Sequence, residues 1–254
     1  MGTETTFAIE TSGLSRMFGD FDAVKDLDLR VDCGTMYGFL GRNGAGKSTT
    51  IKMLTGILKA TKGTIVLLGT NVANDEETLR VRRRIGVVPE DLALFDTLTA
   101  HEYLTFVARM YRLDDVTLES RIDEILDVLE LGADHKQLVL EYSHGMRKKL
   151  ALAAALLPDP DLLFLDEPFE GVDAVGSRIM RDILDRFVGR GSTVFLTSHV
   201  LDIVEGICSH VGIIDAGKLV FQDRMDALNE RRLEDVFLEL VGSTEEMKSE
   251  LSWL

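Results

Sequence analysis

A glycine-rich run in the first fifth of the chain has residue types suited to holding phosphate groups. It reads Gly41-Arg42-Asn43-Gly44-Ala45-Gly46-Lys47-Ser48-Thr49. The run fits the pattern G-x-x-x-x-G-K-[ST], between a predicted strand and a predicted helix. Glycines let successive backbone N–H groups curl around phosphate oxygens, and the positive end of the following helix faces the same phosphates. The pattern therefore predicts that Lys47 bridges the β- and γ-phosphates of a nucleotide and that the Ser48 hydroxyl ligates Mg²⁺.

Two carboxylates follow a second apolar run, about 120 residues after the phosphate loop. Residues 162–165 are Leu-Leu-Phe-Leu, and Asp166 and Glu167 come directly after them. A buried strand of this kind delivers its acids to the carboxyl edge of an α/β sheet, where such sheets place their ligands. We expect Asp166 to belong to the Mg²⁺ shell and Glu167 to act as a general base that orients and deprotonates a water molecule.

The elements that must position these side chains follow from hydrophobic periodicity. Short strands are predicted at 7–11, 14–18, 22–31 and 35–40, with further candidates at 64–68 and 85–88. From residue 92 to residue 157 the apolar spacing of three and four is typical of helices. Strands at 161–166 and 193–198 then alternate with helices near 174–188 and 200–208, and a hairpin through Ala216-Gly217 closes the pattern. This order predicts a parallel sheet with helices packed on it.

Composition narrows the function classes. The chain has 254 residues, 45% of them hydrophobic and 28% charged, with a net charge of -15. That charge disfavours a nucleic-acid partner, because affinity for phosphate backbones comes from lysine and arginine. The longest apolar run, Leu150 to Leu157, is far shorter than the roughly 18 residues of a membrane span. No signal-peptide pattern opens the sequence. We therefore expect a cytoplasmic protein without a transmembrane segment.

The combination of the two runs resembles the nucleotide-binding subunits of ABC transporters, over nearly the whole chain. That family carries a serine- and glycine-rich signature, usually LSGGQ, shortly before the second carboxylate-bearing strand. Here the corresponding stretch is Tyr142-Ser143-His144-Gly145-Met146. The serine and the second glycine are kept, as Ser143 and Gly145, and both are expected to face the γ-phosphate of a nucleotide on a partner subunit. His144 and Met146 depart from the pattern, and this departure bears on the strength of nucleotide-driven dimerisation.

The resemblance implies roles for four further residues. Phe18, 23 residues before the loop, corresponds to the aromatic side chain that stacks on adenine. His199 matches the switch histidine, which contacts the γ-phosphate and holds the attacking water. Asp173 corresponds to the loop that touches the opposite subunit. The family normally has a glutamine, a sensor of Mg²⁺ and water, where this chain has Glu90; a carboxylate can ligate Mg²⁺ but cannot donate a hydrogen bond unless it is protonated.

The resemblance also implies an architecture. It is an α/β phosphate-loop NTPase of ABC type, with a mixed RecA-like core sheet, an N-terminal antiparallel β-subdomain and an α-helical signature subdomain at about 91–157. The nucleotide-binding domain would span 1–223, and a helical tail 224–254. In the tail, Leu233, Val236, Phe237 and Leu240 form one apolar stripe, expected to dock on the domain. Ser243 and Glu246 predict the capping box of a last short helix.

The implied function is that of an ATPase with ATP and Mg²⁺ as cofactors. Two copies, or this chain and a relative, would enclose each ATP, and a separately encoded membrane permease would be the partner on the cytoplasmic face of the membrane. The run IGVVPEDLALFDTLTAHEYL, the YSHGM signature and the ending LEDVFLELVG resemble subunits that export drugs, sodium or lipids. The transported molecule stays open.

Two alternatives compete with an exporter subunit. A soluble ABC ATPase in translation or repair would usually carry two such domains or a long coiled coil, and one in cluster assembly resembles these motifs less. An unrelated phosphate-loop kinase or GTPase is disfavoured by the signature, by His199 and by the lack of a guanine-reading Asn-Lys-x-Asp.

Overall fold

A computed structural model of the chain describes residues 7–72, 75–113, 115–132, 136–228 and 231–242. The strands are β1 (Phe7–Phe18), β2 (Phe21–Leu27), β3 (Arg30–Asp32), β4 (Met36–Leu40), β5 (Lys62–Leu67), β6 (Thr70–Asn71), β7 (Ile85–Val88), β8 (Leu162–Asp166), β9 (Thr193–Ser198), β10 (His210–Asp215) and β11 (Lys218–Arg224). The α-helices are α1 (Lys47–Leu54), α2 (Asp75–Arg82), α3 (Ala100–Tyr111), α4 (Asp115–Val128), α5 (His144–Leu156), α6 (Ala174–Gly189), α7 (Leu201–Ile207) and α8 (Leu233–Val241).

The larger sheet has six strands in the order β11-β10-β4-β9-β8-β7. All neighbours are parallel except β10 and β11, which form the predicted antiparallel hairpin. Every residue of β4, β8 and β9 is buried. One face of these strands packs with helices α3 to α8, and the other packs with α1, α2 and strands β1, β2, β3 and β5. Both faces therefore lose solvent contact, which explains the continuous apolar runs. The predicted parallel sheet is confirmed.

The register of this sheet brings four loops to one edge. β4, β9, β8 and β7 are consecutive neighbours and all run in the same direction. In register, Leu40 lies beside Ser198, and Asp166 beside Thr197. The segments that leave the carboxyl ends of these strands begin at residues 41, 89, 167 and 199. Parallel pairing therefore places side by side four segments that are far apart in sequence.

The second sheet is antiparallel and has the order β2-β1-β5-β6, with β3 also paired to β1. The prediction of separate strands at 7–11 and 14–18 is wrong, because β1 is continuous. Gly13 has a φ of +57° and lies where the pairing of β1 with β5 shifts register, so it makes a bulge where a turn was expected. The single strand predicted at 22–31 is instead divided into β2 and β3.

The helical region predicted at 92–157 contains α3, α4 and α5, preceded by a loop. Thr99 caps α3: its side chain accepts from the Glu102 N–H, and the Glu102 carboxylate accepts from the Thr99 N–H. These hydrogen bonds lower the pKa of Glu102. An ion pair of 2.7 Å between Arg147 and Asp96 links α5 to the loop before α3. The helix that carries the signature is thus tied to the loop between Glu90 and α3.

The end of the described chain packs on the domain. Leu233 and Val236 of α8 are buried in the core that also includes helices α3 to α7. The predicted capping box of Ser243 and Glu246 lies outside the described residues. None of the helices in the described ranges is long and apolar enough to cross a membrane.

Candidate active site

The glycine-rich run connects β4 to α1 in a backbone path that only glycine can follow at two points. Gly46 has a φ of +112°, and a Cβ there would lie 2.6 Å from the Ala23 carbonyl oxygen. A Cβ on Gly41 would lie 2.5 Å from the Ile214 carbonyl oxygen. Both distances are too short for non-bonded atoms. At these two positions a side chain would therefore clash with the protein itself. This steric reason for glycine adds to the space that the glycines leave for phosphate oxygens.

Lys47, the first residue of α1, lies almost fully buried over the loop. Its Nζ donates to the Gly41 carbonyl oxygen at 2.9 Å and is 3.7 Å from Oε1 of Glu167. The Glu167 side chain is also buried. A cation held at the glycine-rich loop, next to one carboxylate, is placed to bind the terminal phosphates of a nucleotide.

Three side-chain oxygens meet beside Lys47. Ser48 Oγ is 3.1 Å from Oε2 of Glu90 and 3.4 Å from Oδ1 of Asp166. These are the three residues predicted to bind Mg²⁺, and the structure brings them together. In the described part of the chain, no group of three or more histidine, cysteine or carboxylate side chains is arranged as a metal site. The protein alone thus offers two carboxylates and one hydroxyl at this point.

Asp166 has a partner that sequence reasoning missed. The Thr197 hydroxyl, at the neighbouring position of β9, donates to Asp166 Oδ1 at 2.5 Å and accepts from the Glu167 N–H at 3.0 Å. Burial raises the pKa of Asp166 above its ordinary value, while the hydrogen bonds from Thr197 and Ser48 oppose that shift. The threonine therefore favours the ionised form that a metal ligand needs.

Glu167 and His199 form a direct pair. Oε2 of Glu167 is 3.0 Å from Nδ1 of His199 and accepts from the His199 backbone N–H at 3.3 Å. Glu167 has a φ of +48°, a left-handed conformation that costs a non-glycine residue about 1–2 kcal/mol. Strain of this kind persists where surrounding contacts hold the residue. Here the contacts aim a buried carboxylate at the half-exposed imidazole.

An open cleft of about 440 Å³ joins these groups. Phe18 lines it and is 47% exposed, with the Arg16 guanidinium 4.4 Å from its ring centroid. Phe21, its cross-strand partner in β2, adds a second exposed ring that the sequence analysis did not single out. The predicted residues that line the cleft are Phe18, Asn43, Gly44, Gly46, Lys47, Ser48, Thr49, Glu90, Glu167 and His199. Gly41 and Ala45 belong to the same loop but are buried.

The signature residues lie elsewhere. Ser143 is the N-cap of α5, where its side chain accepts from the Met146 N–H at 3.2 Å, and Gly145 lies in the first turn. Neither is among the described residues that line the cleft. The His144 ring packs against Gly171, where an added Cβ would be 2.5 Å from Cδ2. The signature thus touches the loop after Glu167, and its exposed serine lies outside the cleft of its own chain.

Lys148 is a second group that sequence reasoning missed. This lysine of α5 is fully buried, behind the carboxyl ends of β7 and β8. Burial lowers its pKa, and the nearby carboxylates of Glu170, Asp166, Glu90 and Glu167 oppose the shift. In the sequence, Lys148 is the middle residue of a basic run, Arg147-Lys148-Lys149, and such a run is more often solvated.

Comparison with known proteins decides the family. A profile described as "ABC transporter" matches residues 24–170. The chain belongs to the ABC transporter family. This ABC chain is 40% identical over 224 residues to the bacitracin transport ATP-binding protein BcrA of Bacillus licheniformis, covering 88% of this chain and 72% of that protein. It is 40% identical over 220 residues to the daunorubicin/doxorubicin resistance ATP-binding protein DrrA of Streptomyces peucetius, covering 87% and 66%.

A solved structure described as the ATP binding subunit of an ABC transporter has a TM-score of 0.84 to this chain. It is 29% identical, and the match covers 92% of this chain and 99% of that one. The predicted fold of the ABC subunit is confirmed, with its mixed core sheet, antiparallel β-sheet and helical region. The prediction of an ATP-binding ATPase of this family is confirmed as well. The domain limits at 223 and 224 stay predictions.

Proposed function

We propose that this ABC subunit hydrolyses ATP between two paired chains and so powers export through a separately encoded membrane permease. The observation that carries the proposal is the meeting of Lys47, Ser48, Asp166, Glu167 and His199 at one sheet edge, from three adjacent strands. Each residue is a type needed for phosphate binding, metal binding or water activation. The separation of Ser143 from this cleft gives the reason for a second chain.

Nucleotide binding uses the loop and the exposed aromatic residues. Backbone N–H groups of residues 43–48 and the Lys47 ammonium would hold the phosphates, and Phe18 would stack on adenine. Phe18 and Phe21 lie at the same end of the cleft, since they are directly paired across the β1–β2 turn. Asn43 and Thr49 complete the lining around the phosphates.

The oxygen set of Ser48, Glu90 and Asp166 fits Mg²⁺. Magnesium prefers oxygen ligands, commonly one or two carboxylates together with phosphate oxygens and water. When bound, the ion would neutralise charge that develops on the phosphates. Asp166, kept near Ser48 by Thr197, and the exposed Glu90 carboxylate would hold it from two sides.

Hydrolysis would depend on Glu167 and His199. Glu167 would accept a proton from the attacking water, because its carboxylate faces the cleft between Lys47 and the imidazole. His199 is half-exposed at the carboxyl end of β9 and can reach both Glu167 and a γ-phosphate. The imidazole would thus orient the water for in-line attack; positioning of this kind, together with electrostatic stabilisation, is what a protein contributes to phosphoryl transfer.

A second chain would complete the site. In a head-to-tail pair, Ser143 and the N–H of Gly145 at the start of α5 would face the γ-phosphate held by the other chain. The loop with Gly171 and Asp173 would lie at the same interface; Asp173 also caps α6 by accepting from the Gly176 N–H at 2.7 Å. The pair can consist of two copies or of this chain and a relative.

Export is supported by the relatives and by an exposed aromatic patch. One relative is named for bacitracin transport and another for daunorubicin/doxorubicin resistance, which favours export over a soluble ABC ATPase. In the proposed helical subdomain, about 91–157, Phe95 is 50% and Phe106 43% exposed, with ring centroids 5.1 Å apart. Met110, on the same helix as Phe106, is 68% exposed. Exposed apolar clusters of this kind mark contact surfaces, and this one would receive the permease.

Co-purification from native membranes tests the proposal. The tagged chain, extracted in mild detergent, should bring down a polytopic membrane protein in near-equal amount. Phe106→Glu should reduce that recovery at least fivefold, roughly 1 kcal/mol or more. Ile57→Glu is the matched control, because Ile57 is 67% exposed but lies after α1. Recovery of soluble partners alone would contradict the export role and leave the ATPase assignment in place.

A further inference from the structure

Lys148 is a buried ammonium that touches the backbone of both metal-side loops. Its Nζ lies 3.1 Å from the Glu167 carbonyl oxygen, 3.4 Å from that of Glu90 and 3.5 Å from that of Asp166. The side chain has no solvent exposure. An ammonium group has three hydrogens, so one side chain has a donor for each of the three carbonyls that it contacts.

Two of these carbonyls belong to Glu90 and Glu167, whose side chains line the cleft, and the third belongs to Asp166, which contacts Ser48. The backbone of Glu167 is held at both ends: its N–H donates to the Thr197 hydroxyl, and its carbonyl oxygen accepts from Lys148. Glu167 needs such support, because its φ of +48° is unfavourable for a residue with a side chain. Removing either contact would let the carboxylate leave its place between Lys47 and His199.

Lys148 also belongs to the helix that begins at the signature. Ser143 caps α5, and Lys148 lies five residues later on the same rigid element. A shift of α5 would therefore move the ammonium relative to the carbonyls of Glu90 and Glu167. The neighbouring Lys149 makes no comparable contact with the strand ends; its Cδ lies near Gly176 of α6.

We propose that Lys148 is a positioning residue: it joins the signature helix to the backbone of Glu90 and Glu167 and thereby sets the hydrolytic geometry of its own chain. The proposal rests on the role of Glu167 given above. Lys148 would act through hydrogen bonds from its ammonium, so glutamine, a neutral donor whose side chain is one bond shorter, would keep much of the function. It would govern the hydrolytic step more than nucleotide affinity, because its contacts are to the loops behind the cleft.

Three substitutions test this. Lys148→Met keeps an unbranched side chain but no donor, Lys148→Gln keeps an N–H₂ donor, and Lys149→Met makes the same chemical change one residue along. We expect K148M to lower kcat about 10- to 100-fold, as a small misplacement of a reacting group does. The Kd for ATP, measured by equilibrium binding in EDTA, should change less than about threefold. K148Q should recover most of the lost kcat, and K149M should stay near the unsubstituted chain.

Glu167→Gln in parallel separates this proposal from the one on which it rests. If E167Q still turns over ATP, the assigned role of Glu167 is wrong. If E167Q is inactive and K148M is as active as the unsubstituted chain, only the role of Lys148 is wrong. A K148Q as inactive as K148M, with both folded by melting temperature, would equally overturn the hydrogen-bonding role. If K148M does not fold, K148Q tests the proposal alone. A folded K148Q whose kcat is at least tenfold below that of the unsubstituted chain would overturn the hydrogen-bonding role.

Discussion

Glu90 gives the sharpest test of the metal site, because a carboxylate stands where the family normally has an amide. Its Oε2 is 3.1 Å from Ser48 Oγ, the hydroxyl proposed to ligate Mg²⁺. Glu90→Gln keeps the size of the side chain and removes one negative charge. We expect weaker Mg²⁺ binding in the variant and unchanged or slightly tighter binding of metal-free ATP, whose phosphates are repelled by that charge.

The expected size of the effect on Mg²⁺ binding follows from the distance between the Glu90 charge and the ion and from the exposure of Glu90. A unit negative charge about 4 Å from a divalent cation contributes about 2 kcal/mol in water. Glu90 is exposed, so counterions and side-chain motion reduce this to about 1 kcal/mol. That free energy corresponds to a roughly fivefold higher Mg²⁺ concentration at half-maximal rate.

The assay is ATP turnover against free Mg²⁺ at saturating nucleotide, with ATP binding in EDTA as a second readout. Glu170→Gln is the matched control, since Glu170 lines the same cleft but is not in hydrogen-bond contact with Ser48. Its Mg²⁺ titration should stay close to that of the unsubstituted chain. Superimposable Mg²⁺ curves for E90Q and the unsubstituted chain would refute the assignment of Glu90 as a ligand.

Three further substitutions have definite expected outcomes. Thr197→Val removes the hydrogen bond that lowers the pKa of Asp166. The pKa of Asp166 should therefore rise further, and the acid limb of the pH–rate profile should move to higher pH. An acid limb that does not move would contradict this coupling. Phe18→Ala should weaken ATP binding by about 1–3 kcal/mol, the usual worth of a base stacked on an aromatic ring, and Phe21→Ala, measured by the same titration, should cost less. Gly46→Ala should lower the melting temperature by an amount equivalent to about 1–3 kcal/mol, because its φ is +112° and an added Cβ meets a backbone carbonyl; an unchanged melting curve would count against that steric argument.

The sequence predicted the chemical groups of the cleft better than the residues that hold those groups in place. The phosphate loop and the pair Asp166-Glu167 were visible because their residue types are needed at fixed spacing after apolar strands. Their meeting with His199 was predictable too, since parallel strands end at one edge. Thr197 was missed because its role depends on register: it lies opposite Asp166 only once β8 and β9 are paired.

Other differences have similar causes. The contacts of Lys148 follow from no local pattern, because a lysine in a run of three basic residues is usually solvated. Its burial depends on carbonyls at and just after the carboxyl ends of β7 and β8. The sequence predicts a turn at Gly13, although tertiary pairing with β5 keeps β1 continuous around it. Local rules locate elements and chemical groups, whereas long-range packing decides which buried polar groups hold them in place.

Two chains that enclose ATP, with Glu167 as the base, are central to the proposed mechanism. The size of Glu167→Gln in solution tests this directly for two copies of this chain. With saturating ATP and Mg²⁺, E167Q should elute from gel filtration at twice the monomer mass, without turnover. Ser143→Arg in the same background should remain monomeric, although its own loop still binds ATP. A monomeric E167Q with ATP bound would contradict pairing between two copies of this chain, and an E167Q that still hydrolyses ATP would contradict the role of Glu167 as the base.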